Sequence, residues 1–167
     1  MILLLRVDNR LIHGQILEAW VPRLGANRLV VADDQAAASA LACAAMSLCL
    51  PPELPVEVRA VADVDFAALA ASKDRVLVLF RDIASLARAA RDGLTPALAP
   101  RVNVGNVHYA EGRRPVTPSV FLTAVEVAEL DALAHAGFEV EARAIPSDAA
   151  TSARAIAEKY DAAGEKR

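Results

Sequence analysis

A three-layer α/β fold, with a mainly parallel central sheet between helices on both faces, is the architecture this 167-residue chain predicts. Three observations lead there. Short runs rich in valine and leucine alternate with longer alanine-rich stretches of helical period. Most of the short runs are apolar almost throughout, as strands are when both of their faces are covered. Helix punctuation, acids at the starts and glycines past the ends, falls between them.

The elements follow in order. Residues 2–7 form the first strand and 14–24 the first helix, in which Pro22 should kink or end the turn because it has no N–H to donate. Gly25 supplies the left-handed residue past that helix. Residues 28–32 form the second strand, Asp33-Asp34 ends it with Asp34 placed as an N-cap, and helix 35–50 follows. Strand 56–61 and helix 64–71 come next, then strand 76–80. Asp82 caps helix 83–92 and Gly93 closes it. Strand 102–104 leads into the one long connection, 106–120, which holds Gly112, Arg113, Arg114, Pro115 and Pro118. A stretch of that length inside a compact domain is either functional or paired as a small hairpin. Thr123-x-x-Glu126 has capping-box spacing for helix 124–136, which Gly137 closes. Strand 138–144 and helix 148–160 complete a single domain over residues 1–160, and 161–167 is a polar tail expected to fray.

Composition narrows the function. Lys+Arg 18 against Asp+Glu 21 gives a formal charge of −3, and with no basic tract and 4% aromatic residues a nucleic-acid partner is not expected. Alanine fills 37 positions, so the 55% hydrophobic content reflects helix propensity more than core volume. The longest uncharged apolar run, 41–52, falls short of the about 20 residues a bilayer span needs. Met1 leads into the first strand without a basic signal region, so a cytoplasmic location is expected. Cys43 and Cys49 read as small apolar residues in a reducing compartment. Neither a G-x-G-x-x-G nor a G-x-x-x-x-G-K-[ST] motif occurs, so no nucleotide cofactor is expected. No Cys/His or His/Glu pair at ligand spacing supports a metal site.

In an open parallel sheet, ligands bind beyond the carboxyl ends of the strands. That rule selects Asp8 to Gln15 after the first strand, Asp33-Asp34 after the second, Arg81-Asp82 after the fourth and Asn103 to Asn106 in and after the fifth. His13 stands at a loop–helix junction, followed by Gly14 and Gln15, with Arg10 three residues before it. Amide N–H groups at a helix start seat anions, and a guanidinium forks onto phosphate oxygens. A neutral imidazole there can take a phosphoryl group, with Asp8 accepting the proton on its other nitrogen. The plainer reading, a capping or surface histidine, stays open at this point. His108, in the long connection, either lines the same mouth or is solvated. His135 suits the negative end of its helix. Arg113-Arg114 is either a solvated turn or a docking point for an acidic surface or phosphate. Asp33-Asp34 does not match the acids of a phospho-acceptor receiver domain, and nothing resembles a hydrolase triad.

The run Arg6-Val7-Asp8-Asn9-Arg10-Leu11-Ile12-His13-Gly14-Gln15-Ile16, followed by Trp20, closely resembles the active-site loop of the IIB components of the mannose/fructose/sorbose family of the sugar phosphotransferase system. Residues 28–34, 77–80, 102–105 and 145–148 resemble further parts of the same family, so the likeness spans nearly the whole chain. The resemblance implies a mainly parallel sheet with one antiparallel edge strand. It also implies a cytoplasmic phosphotransferase without cofactor or metal. A phosphoryl group passes from a phosphohistidine of the IIA partner to His13, and then to a sugar carried by the IIC and IID membrane components. His13 matches the phosphorylated histidine, by family description at Nδ1, and Arg10 the arginine that contacts the phosphate. Asp8 belongs to the same catalytic group. Asn9, Gly14, Gln15, Arg81, Asn106 and His108 are the candidate substrate- and phosphate-binding positions. The family likeness and the alanine-rich helices are compatible with a homo-oligomer.

Three departures stand out: Asn9 replaces a second Asp, Asn106-Val107-His108 replaces a Gly-Met pattern, and the loop 66–75 is short. They motivate an alternative, a regulatory phosphoprotein or binding module that does not itself feed sugar transport.

Overall fold

The computed structural model describes residues 1–164. Strand β1 (Ile2–Asp8) runs into a π-helical turn (Ile16–Trp20) and a short helix α1 (Val21–Leu24). Strand β2 (Arg28–Ala32), helices α2 (Asp34–Ala37) and α3 (Ala40–Leu48) and strand β3 (Val56–Arg59) follow. A 3-10 turn (Val61–Asp63) precedes α4 (Phe66–Ala71), β4 (Val76–Phe80), α5 (Ile83–Arg91) and β5 (Arg101–Asn106). The chain continues through β6 (Arg114–Thr117), β7 (Val120–Leu122), α6 (Ala124–His135), β8 (Glu139–Ala142), β9 (Thr151–Ser152) and α7 (Ala153–Gly164).

Seven strands form the central sheet in the order β3-β2-β4-β1-β5-β8-β9. All neighbours are parallel except the edge pair β8–β9. The chain leaves β4 on one side of β1 and enters β5 on the other, so the connections reverse across β1 and open a crevice at its carboxyl end. Alternation along the strands divides the core in two. Leu5, Val7, Val30, Val78, Phe80 and Val104 pack with Ile83 and Leu86 of α5, Leu130 of α6 and Ile156 of α7. Leu4, Leu29, Val31, Leu77 and Leu79 pack on the other face with Leu11, Ile16 and Trp20. Arg6 and Asp8 share that second face two and four residues on from Leu4, and both are wholly buried.

Several boundaries differ from the sequence expectation, each for a local reason. Helix 35–50 is two helices, because the Ser39 side chain accepts the Ala42 N–H (3.1 Å) and starts α3 afresh. Asp33, not Asp34, caps α2 by accepting the Ala36 N–H (2.7 Å). Asp34 instead accepts the Val61 N–H (2.8 Å) and pairs with Arg88, so the third strand stops at Arg59 and turns. The π-helical turn closes with the Val21 N–H on the Ile16 carbonyl, since Pro22 brings no N–H to prolong either ladder. Part of the long connection is a hairpin, β6–β7. The last helix starts at Ala153 because Thr151–Ser152 pairs with β8 as the antiparallel edge. That helix runs on to Gly164, beyond the expected tail boundary at Asp161, and 165–167 lie outside the described residues. Asp82, Gly25, Gly93, Gly137 and the Thr123/Glu126 capping box act as expected. Among the described residues no helix is long and apolar enough to cross a membrane.

Candidate active site

Asp8 is the last residue of β1, at the centre of the sheet and at its carboxyl end. After it the chain must turn tightly, and it does so through Leu11, a non-glycine residue at φ 55° whose N–H donates to the Asp8 carbonyl (2.9 Å). A left-handed leucine is costly, and it persists here because its side chain is buried in the second core cluster. The turn lifts His13 out of the core. The Ile16 and Leu17 amides bond back to the His13 carbonyl (2.9 and 3.3 Å), which leaves the Gly14 and Gln15 amides ahead of the helical ladder.

Four of the predicted residues meet in one hydrogen-bonded cluster. Asp8 Oδ1 accepts from the Arg10 backbone N–H (3.1 Å) and Nε (3.2 Å). Arg10 Nη2 donates to Gln15 Oε1 (2.8 Å), and its side chain is about a third exposed, at 35%. His13 Nε2 lies 3.4 Å from Gln15 Oε1 and 3.7 Å from Asp8 Oδ2, with the side chain 16% exposed. Its Nδ1 lies 3.0 Å from the Leu11 carbonyl. A carbonyl or carboxylate oxygen only accepts, so the ring has an acceptor beside each nitrogen: the Leu11 carbonyl at Nδ1, and Gln15 Oε1 and Asp8 Oδ2 at Nε2. Asp8 lies on the Nε2 side, and the Leu11 carbonyl is a further acceptor that the sequence reading did not include.

The other predicted positions frame this cluster. Asn9 donates from Nδ2 to the Arg81 carbonyl (2.8 Å) and accepts the His108 N–H at Oδ1 (2.6 Å). Its own N–H donates to the Asn106 carbonyl (3.1 Å), so Asn9 ties together the loops after β1, β4 and β5. Asn106 Oδ1 is buried without a hydrogen-bond partner. Arg81 turns its guanidinium away, forking onto Asp33 (2.8 Å twice), and that pairing raises its pKa above the ordinary value. It reaches the site only through its carbonyl. His108 is exposed, its backbone held between Asn9 and Arg113, which donates to the His108 carbonyl (2.7 Å). Arg113 also pairs with Glu126, while Arg114 stacks on Tyr160, so the arginine pair is structural. Gly14 lies beside Glu18, with room for a Cβ.

Sequence reasoning missed Arg6. Its guanidinium is fully buried beneath Asp8, donating to Asp8 Oδ2 (2.8 Å), Asn103 Oδ1, the Ala144 carbonyl (3.0 Å) and the Arg143 carbonyl (3.4 Å). The Trp20 ring stacks over it at 4.8 Å, held by its own Nε1–H on the Ala144 carbonyl (3.0 Å). Burial lowers the Arg6 pKa, and Asp8 opposes that. A Cβ on Gly105 would land on this guanidinium, so Gly105 is required by close approach and not by its own backbone angles. The available signal was a lone cation in an otherwise apolar strand. A groove of ≈ 490 Å³ lies behind the cluster between Trp20, Arg143 and β8, and none of the predicted site residues lines it.

Comparison with known proteins gives the chain its family. The model of the family described as PTS system sorbose subfamily IIB component matches residues 2–166. The N-acetylgalactosamine-specific phosphotransferase enzyme IIB component 2 of Escherichia coli (strain K12) is 31% identical over 150 residues, covering 89% of this chain and 94% of that protein. The PTS system fructose-specific EIIB component of Bacillus subtilis (strain 168) is 31% identical over 153 residues, covering 89% and 90%. The crystal structure of the IIBSor domain of the sorbose permease from Klebsiella pneumoniae superimposes with a TM-score of 0.82 at 23% identity, over 95% of this chain and 97% of that one, and shares the fold.

Proposed function

The chain belongs to the sorbose subfamily of phosphotransferase-system IIB components, and we propose that it is a cytoplasmic phosphocarrier whose His13 accepts a phosphoryl group from a IIA phosphohistidine and passes it to a sugar at the IIC and IID components. The observation that carries this reading is the Asp8–Arg10–His13–Gln15 cluster at the carboxyl end of the central strand. The imidazole stands beside a guanidinium that is about a third exposed and spends only part of its hydrogen-bonding capacity on Asp8 and Gln15.

In the step itself the P–N bond of the donor imidazole breaks while a bond forms from phosphorus to an unprotonated nitrogen of His13. No proton leaves the attacking atom. Phosphoryl transfer of this kind asks for positioning and charge stabilisation more than covalent work by the protein. Arg10 Nη2 can exchange Gln15 for a phosphate oxygen, and the Gly14 and Gln15 amides face the same region ahead of the helix. The nitrogen that accepts must be unprotonated and turned to the donor. Acceptance at Nδ1 takes the ring away from the Leu11 carbonyl, at a cost of about 1 kcal/mol for one hydrogen bond. The ring sits at an open loop and not in the ≈ 490 Å³ groove, which suits a macromolecular donor. The relatives are named for different sugars, N-acetylgalactosamine and fructose, and the substrate proposed for this chain is a sugar.

The test is incubation with phosphoenolpyruvate, enzyme I, HPr and a panel of IIA proteins, read by intact mass. One phosphoryl adduct on the wild type, none on His13→Ala and slow acceptance by Arg10→Ala are the expected results. A normal adduct on His13→Ala overturns the assignment. Acceptance without onward transfer to any sugar in the presence of IIC and IID favours the regulatory alternative.

A further inference from the structure

We propose that Arg6 is a positioning residue for phosphoryl transfer: it holds the Asp8 carboxylate as a fixed, charge-compensated anchor, so that Arg10 is free to leave it for the phosphate. This inference rests on the phosphocarrier reading above. Asp8 has two cationic partners with different freedom. Arg6 is wholly buried, clamped between the Trp20 ring and the bare backbone of Gly105, with four acceptors around it. Arg10 is a third exposed, and its Nη2 reaches Asp8 Oδ2 only at 3.5 Å.

The division of oxygens follows the same line. Asp8 Oδ1 holds Arg10 at its backbone N–H, which stays when the side chain swings, and at Nε, which leaves with the rigid guanidinium. Asp8 Oδ2 is held by Arg6. When a phosphate dianion arrives beside His13 and draws off the Arg10 Nη groups, the buried carboxylate keeps a full counter-charge. Without Arg6 the guanidinium left on Asp8 among the described residues is Arg10, and a buried carboxylate does not release such a partner cheaply. Arg10 would then stay on Asp8, and the phosphate would lose its fork.

The groups that face this pair are Arg10 and His13 from the loop, and Glu141 and Arg143 from β8 and the segment after it. Trp20 and Asn103 complete the enclosure and carry no charge. Removing Arg6 therefore leaves the Asp8 carboxylate buried with its compensation reduced.

The experiment compares initial rates of phosphoryl acceptance from phospho-IIA for wild type, Arg6→Met, Asp8→Asn and the double variant, each over a range of phospho-IIA concentrations. Labelled wild type establishes the phosphocarrier reading independently; if wild type takes no phosphoryl group, that reading fails and not this one alone. Arg6→Met should slow acceptance at least tenfold, with the loss in kcat and the KM for phospho-IIA little changed. Asp8→Asn/Arg6→Met should be within about twofold of Asp8→Asn, because Arg6 acts through Asp8. Wild-type rates in Arg6→Met, or losses that multiply in the double variant, overturn the proposal. Should Arg6→Met fail to fold, Arg6→Lys with and without Asp8→Asn makes the same comparison, since it keeps the charge and loses the fork.

Discussion

Replacing Gly105 with alanine adds one methyl group at the point where β5 passes over the Arg6 guanidinium. The backbone of Gly105 is not in the left-handed region, so the substitution tests the close approach alone. The methyl group would occupy the space of the guanidinium, and Arg6 cannot retreat because the Trp20 ring lies 4.8 Å away on another side. Inserting a methyl into a filled site costs about 1–3 kcal/mol. Pulling a buried cation off its carboxylate costs about 3–5 kcal/mol. The two overlap, since one displacement causes both, and the expected loss is about 3–5 kcal/mol. For a domain of this size each kcal/mol lowers the melting temperature by about 2–4 °C, giving a fall on the order of 10 °C. Urea and thermal unfolding measure it, with the single tryptophan, Trp20, as a local probe of the guanidinium beneath it. Gly14→Ala is the control, because a Cβ there meets only ordinary contact with Glu18. A Gly105→Ala protein that melts within about 3 °C of wild type, a shift worth roughly 1 kcal/mol, with unchanged Trp20 emission would refute the reasoning.

Two further outcomes follow from the same structure. Asn9→Ala removes a donor to Arg81 and an acceptor for His108, so it should cost about 1–3 kcal/mol in urea unfolding and slow phosphoryl acceptance. Asn9→Asp keeps the acceptor but opposes two oxygens at Arg81; its stability should recover as pH falls and the carboxyl regains a proton to donate, and a deficit that is independent of pH would count against this account. Asp34 is held below the ordinary carboxylate range, first by its hydrogen bond to Arg88 and then by the Val61 N–H. Its folded pKa is depressed, so its contribution is present above the unfolded value of about 3.9 and is lost as pH falls through the folded value. Asp34→Asn should therefore be less stable than wild type at neutral pH, with the gap closing in strong acid; the pair is half exposed, which keeps the effect small and salt-sensitive.

The family of a chain and the use of each residue within it were not equally legible. Asp8, Arg10, His13 and Gln15 lie within eight consecutive residues, and a strand end followed by a turn brings them together whatever the rest of the chain does. Strands 28–32 and 76–80 match β2 and β4 to the residue, because an apolar run closed by charged residues marks its own limits. Helix ends were less certain where two acids stood side by side: Asp33 took the cap because Asp34 was claimed by Val61 and Arg88. Arg81 was placed correctly on its strand end but its guanidinium went to Asp33, a choice between two nearby partners that spacing along the chain does not encode.

Periodicity, punctuation and one local motif, all short-range properties of the chain, determined by themselves the layered α/β fold, most element positions, the family and the place of the Asp8–Gln15 loop. The tertiary structure alone decided what holds that loop. Arg6 meets Asn103 across 97 residues, and Asn9 meets Arg81 and His108 across 72 and 99. The Leu11 carbonyl joins Asp8 and Gln15 as an acceptor beside the imidazole. The physical reason is that a buried charge or amide must find its partners among whatever groups the sheet brings beside it. Those neighbours are set by strand order and register, which no local pattern specifies.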